Sequence, residues 1–130
     1  DFARSDRRGE IDGSARVDDA QKQAVWAQMN LRYAQARALS RHVVSKVSVD
    51  PHPDDVALAW TSMITTMDAA PDVASMALKA CGGRSLLRPL PLERIYRDAR
   101  CGATMLPWSV EVCLDRLGRH GLYDGDEVFA

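Results

Sequence analysis

Between residues 17 and 47 the apolar side chains return at a spacing that brings them to one side of an α-helix. Val25, Trp26, Met29, Tyr33, Ala36, Ser40, Val43, Val44 and Val47 fall within about 100° of one another, and Gln23, Asn30, Arg37 and Arg41 take the other side. Asp18 and Asp19 precede the stripe, where the positive end of the helix dipole favours a carboxylate. The pattern predicts a helix over residues 17–47, long against the usual length of about 11–12 residues. Such a helix cannot bury its stripe alone and needs other elements against it. No segment alternates with period two for the length of a strand, so the fold class is all-α, an antiparallel up-and-down helical bundle.

The remaining punctuation supports short connections between helices. Pro51 and Pro53 in "SVDPHPDD" end the first helix, and Asp54 and Asp55 open the second. Val56, Trp60, Met63, Ile64 and Met67 form its stripe, with Trp26 and Trp60 expected in one core. Pro71 lacks a backbone donor and must either kink or end that helix. Beyond it Val73, Met76, Ala77 and Ala80 resume helical spacing up to Cys81. Gly82-Gly83 is a helix C-terminus signal, because glycine takes the left-handed conformation without penalty. A loop over residues 84–91, a short helix over 92–100, and a last helix follow. Pro107 is placed in the first turn of that last helix, which runs past Val110, Val112, Cys113, Leu114 and Leu117 to Gly118. Residues 1–16 are polar, charged and glycine-punctuated, which reads as a flexible arm or linker. The bundle domain then covers residues 17–119, and residues 120–130 form a tail. Because the sequence starts at Asp1 without an initiator methionine, a fragment or processed piece is expected.

Charge and composition narrow the function classes. The 17 basic and 18 acidic residues nearly cancel, so no bulk electrostatic case exists for nucleic acid or an anionic membrane. No run reaches the roughly 18 apolar residues of a membrane span, and no signal-peptide pattern is present. Cys81, Cys101 and Cys113 are far apart and form no CxxC pair, which fits free thiols in a reducing cytoplasm and gives no zinc site. His42, His52 and His120 are isolated, with no serine or cysteine at a spacing that suggests a triad. Helix termination is the structural reading of Gly82-Gly83, and phosphate binding the functional one. Arg94, Arg97 and Arg100 recur at three-residue intervals. They either pair with Glu93 and Asp98 or anchor a phosphate.

Residues 77–100, "ALKACGGRSLLRPLPLERIYRDAR", resemble the C-terminal helical domain of the acyl-CoA dehydrogenase family. Those flavoenzymes carry, in this order, a long helix ending in Gln-x-x-Gly-Gly, a loop, a Pro-x-Glu-Arg turn and an Arg-Asp-Ala-Arg/Lys block. The counterparts here are Lys79, Gly82, Gly83, Pro91, Glu93, Arg94, Arg97, Asp98, Ala99 and Arg100. The preceding "RVDDAQKQAVWAQMNLRYAQARAL" resembles the family's penultimate long helix, and the similarity extends over residues 14–119.

The resemblance implies a domain that forms the core of a dimer or tetramer, with FAD at subunit contacts. It further implies an acyl-CoA substrate in the parent protein and a role in fatty acid metabolism. Lys79, Gly82 and Gly83 become the candidate cofactor-binding residues, near the adenosine-diphosphate portion of the flavin. No catalytic residue is expected in this chain. Six residues past Arg100, where one branch of the family carries its glutamate base, stands Leu106, and Lys79 stands where glutamine is usual. The leading expectation is a C-terminal domain of an FAD-dependent acyl-CoA dehydrogenase-like oxidoreductase, inactive alone and self-associating. The alternatives are a non-catalytic subunit or interaction module of this fold, and a flavin-dependent monooxygenase on the same scaffold.

Overall fold

The computed structural model describes residues 19–123. The arm expected over residues 1–16, and residues 17 and 18 of the predicted first helix, lie outside them, as do residues 124–130 of the tail. Four α-helices and one 3-10 turn make up the described chain: α1 (Ala20–Ser45), α2 (Pro53–Cys81), the 3-10 turn (Gly83–Leu86), α3 (Pro91–Gly102) and α4 (Val110–Leu122). No strand occurs among the described residues.

Local chemistry fixes the ends of these helices. Asp19 is the N-cap of α1, its Oδ1 accepting the Gln21 N–H at 2.9 Å. That hydrogen bond is the leading reason its carboxyl titrates below the ordinary range. Two residues short of the predicted end, α1 stops at Ser45. The Ser48 hydroxyl accepts the Asp50 N–H at 3.1 Å, a local turn bond that competes with further helix. His52 caps α2 through Nδ1, which accepts the Asp54 N–H at 3.3 Å, and Pro53 follows in the first turn.

Of the two outcomes open at Pro71, the helix does not end: α2 continues through it to Cys81. Without an N–H at Pro71, the carbonyl of Met67 loses its partner one turn ahead. Pro107 does not open the last helix. Ser109 does, its hydroxyl accepting the Val112 N–H at 3.4 Å, so Pro107 belongs to the preceding turn. The same helix runs past Gly118 to Leu122, which makes His120 helical.

α2 is the centre of the assembly. Among the described residues, α1, the 3-10 turn, α3 and α4 all pack on it, α1 touches no other element, and α3 and α4 do not meet. Pairs across the helices give the directions. Lys46 meets Asp55 at 3.1 Å and Arg32 meets Asp72 at 2.9 Å, so α1 and α2 are antiparallel. His120 meets Asp54 and Gly102 abuts Met67, so α4 lies against the N-terminal half of α2 and α3 against its C-terminal half. The two short helices therefore follow one another along α2, opposite the end-to-end cover of α1.

The best-packed cluster is Ala57, Trp60 and Cys113, with Val56, Met63, Ile64 and Leu117 around it. Met29 and Ala36 are the buried residues of α1, Ala69 and Ala74 are buried on α2, and a hydroxyl cluster joins the two helices. Ser40 Oγ lies 3.2 Å from Ser62 Oγ and 3.3 Å from Thr66 Oγ1. The expectation that Trp26 and Trp60 share a core is wrong. Trp60 is 7% exposed and Trp26 58%. Among the described residues α1 has a single helix to pack on, and its buried residues are Met29 and Ala36. Trp26, Tyr33 and Val44, on the flank of the stripe, stay open. Leu114 is likewise exposed, since among the described residues α4 packs on α2 alone.

Candidate functional site

The corner between α2 and the 3-10 turn holds all three residues that the sequence singles out. Gly82 has φ 76° and ψ 178°, a region essentially restricted to glycine, and it terminates α2 with its N–H donating to the Leu78 carbonyl at 2.9 Å. A side chain at Gly82 or Gly83 would meet nothing within 4 Å, so the backbone here is open to approach from outside. Lys79 is exposed in the last turn of α2, and Arg84 and Arg88 are exposed just beyond the corner. None of these three cations has a carboxylate partner among the described residues.

One residue at this corner escapes sequence reasoning. Ser85 is 2% exposed, and its hydroxyl donates to the Gly82 carbonyl at 2.6 Å while its N–H donates to the same oxygen at 3.0 Å. Two donors on one carbonyl hold the peptide plane of Gly82 in place. A serine two residues after a glycine pair at a helix end was the available signal.

On α3 the arginines are engaged with their own helix. Arg97 Nε lies 2.8 Å from Glu93 Oε1, and Arg94 Nε lies 3.6 Å from Asp98 Oδ2. Arg100 rests over the Tyr96 ring at 5.6 Å and donates to its hydroxyl at 3.4 Å. These are the helix-surface pairs that four-residue spacing permits, and they fit the structural reading of this block.

Past α3, the stretch leading to Ser109 is apolar and open. Met105 and Trp108 are exposed and Leu106 is 80% exposed, with the Val110 N–H donating to the Ala103 carbonyl to close the turn. An open groove of about 660 Å³ lies between α1 and the end of α3, floored by Met67, Asp68, Pro71 and Asp72 and edged by Arg32 and Arg100. Its two arginines and two aspartates balance in charge.

The three cysteines are free, with Cys101 exposed, Cys81 half-buried and Cys113 fully buried. Burial pushes the Cys113 thiol above its ordinary pKa. His120 Nε2 lies 3.2 Å from Asp54 Oδ1, a contact across 66 residues of chain that no local pattern announces. No group of three or more metal-ligating side chains forms among the described residues, and no helix there is long and apolar enough to cross a membrane.

Residues 4–120 match the family described as acyl-CoA dehydrogenase, C-terminal domain. No curated protein and no solved structure matches the chain.

Proposed function

Since the chain belongs to the acyl-CoA dehydrogenase C-terminal domain family, we propose that it is the closing helical domain of an FAD-dependent oxidoreductase acting on an acyl-CoA. The observation that carries this reading is the Gly82 corner. A cofactor with a diphosphate needs a backbone it can approach closely and positive charge beside it. Gly82 and Gly83 offer the first, with no Cβ and open space where one would stand. Lys79 and Arg84 offer the second, and the clamp of Ser85 on the Gly82 carbonyl keeps the turn in one shape. The residues present fit the group. Bound FAD would supply the hydride acceptor.

The chain's own part is binding and assembly. Lys79, Gly82, Gly83 and Arg84 hold the diphosphate portion, and the arginine–aspartate block of α3 sets the direction of the chain into α4. The helical faces left open give contacts to other subunits of a homo- or hetero-oligomer. No proton transfer is assigned to this chain, because the stretch between α3 and α4 offers no carboxylate and Leu106 cannot accept a proton.

The test is flavin content of the full-length protein, followed by Lys79→Glu and Gly82→Val in that protein. The reading requires visible flavin absorbance in the parent and weakened flavin retention in both variants. A colourless parent that takes up no FAD, or variants that retain it as the parent does, would remove it. Sedimentation of this chain as a monomer at every concentration would remove the oligomer half alone.

A second reading is favoured by the exposed Leu106: a subunit of the same fold that binds flavin or a partner without turning over substrate. A flavin-replete full-length protein inactive on every acyl-CoA would select it.

A further inference from the structure

α2 does not end as a glycine-stopped helix ordinarily does. At such an end glycine commonly takes the left-handed helical conformation, with φ about +57° and ψ about +47°. Gly82 has the positive φ, 76°, but its ψ is 178°. The physical cause lies three residues on. Ser85 is 2% exposed, and its hydroxyl and its N–H both donate to the Gly82 carbonyl, at 2.6 and 3.0 Å. The carbonyl is therefore turned toward a buried group. In a planar trans peptide the N–H points opposite to the C=O, so the Gly83 N–H is turned away from Ser85. Gly83 and Arg84 are both exposed.

We infer that Ser85 is a positioning residue of this corner: it holds the Gly82–Gly83 peptide so that an incoming diphosphate meets the N–H and not the carbonyl. The inference rests on the reading of the corner as a diphosphate site and adds what orients it. A backbone N–H attracts a phosphate oxygen and a carbonyl oxygen repels it, so the two orientations of one peptide act with opposite sign on the same ligand. A half-turn of that peptide changes ψ of Gly82 and φ of Gly83 together. It would bring Gly82 close to the left-handed helical region and carry Gly83 from a φ that is not positive to one that is. Both residues are glycines, which accept these values without a Cβ penalty. Neither meets a neighbouring atom within 4 Å of where a Cβ would stand. Local backbone preference therefore does not hold the observed orientation. The paired hydrogen bonds from Ser85 do, and of these the hydroxyl's can be removed by substitution.

The experiment uses the full-length protein, freed of flavin and titrated with FAD. Ser85→Ala is expected to weaken FAD by roughly tenfold, the scale of one lost hydrogen bond. Ser85→Cys, which keeps the volume but donates weakly, takes its place if the alanine variant does not fold. In a Gly83→Ala background the same change at Ser85 should cost no more than about twofold, because alanine resists the positive φ that the turned peptide needs. A serine that served the fold alone would cost the same in both backgrounds. The crystal structure of the flavin-free Ser85 variant should show the Gly82 carbonyl turned outward, a readout that stands even where Gly83→Ala itself abolishes flavin binding. Parental FAD affinity in the Ser85 variant, equal losses in the two backgrounds, or a Gly82 carbonyl still turned inward in that crystal would overturn the inference. If Lys79→Glu weakens FAD and the change at Ser85 does not, the diphosphate site stands and the role of Ser85 falls. A parent that takes up no FAD removes the site and the inference together.

Discussion

Trp60 of α2 and Cys113 of α4 belong to one buried cluster, and that cluster is what attaches the last helix to the rest of the domain. Trp60→Ala is expected to cost about 3–5 kcal/mol, the range for removing a large aromatic from a packed core. The same change at Trp26, which is 58% exposed, should stay within about 1 kcal/mol. Urea titrations of both variants check the contrast, and equal losses would refute the division between covered and open tryptophans.

The difference between these two tryptophans also marks how far the sequence could be read. Helical spacing placed Trp26 and Trp60 correctly on helices, and the caps, prolines and Gly82 put most helix ends within a few residues. Spacing alone cannot count neighbours: Trp26 lies at the margin of its stripe, and whether a margin is buried depends on how many helices surround it. The Gly82 corner was legible because a positive φ has few residues that tolerate it. Ser85, which fastens that corner from three residues away, was signalled only by its place after the glycine pair, whereas His120 reaches Asp54 by the chain folding back over 66 residues and left no local mark.

Ser40 links α1 to α2 through the hydroxyls of Ser62 and Thr66, and Ser62 is buried. Ser40→Ala removes a partner from that buried hydroxyl and should destabilise by about 1–2 kcal/mol. Replacing Ser40 and Ser62 together by alanine should cost less than the sum of the single changes, which a double-mutant cycle would register.

Pro71 stands inside a helix that continues on both sides of it. Pro71→Ala restores the donor for the Met67 carbonyl and is expected to stabilise the domain by about 1–3 kcal/mol. A lower melting temperature for this variant would show that the proline is needed by its surroundings in the groove with Asp68 and Asp72.

Gly82→Ala meets no steric obstacle from neighbouring atoms, so its effect reports the backbone conformation alone. Holding alanine at φ 76° should cost about 1–3 kcal/mol. Gly83→Ala, at a residue whose φ is not positive, should cost less, and thermal melts of the pair separate the two.

Thiol labelling should follow exposure, with Cys101 first, Cys81 next and Cys113 last. Burial raises the Cys113 pKa, so the folded chain holds that proton more tightly than the unfolded one. Its contribution to stability is complete below the ordinary thiol range and declines as pH climbs through and above it. Cys113→Ala should flatten that alkaline decline. Asp19 has the opposite sign: its lowered carboxyl pKa stabilises above the usual carboxylate range and is lost on acidification. Asp19→Asn should therefore blunt the acid sensitivity of α1.

Among the described residues α1 meets α2 alone and α3 and α4 do not meet, so each outer helix is expected to lift away while the others remain seated. Breathing of this kind orders the entry of deuterium into the backbone. Amides of α1, on its half-covered flank, should exchange early, those of α3 and α4 on schedules of their own, and those in the middle of α2 only when the whole domain comes apart. Whatever binds α1 can thus influence the Gly82 corner by one route, through the trunk that both share.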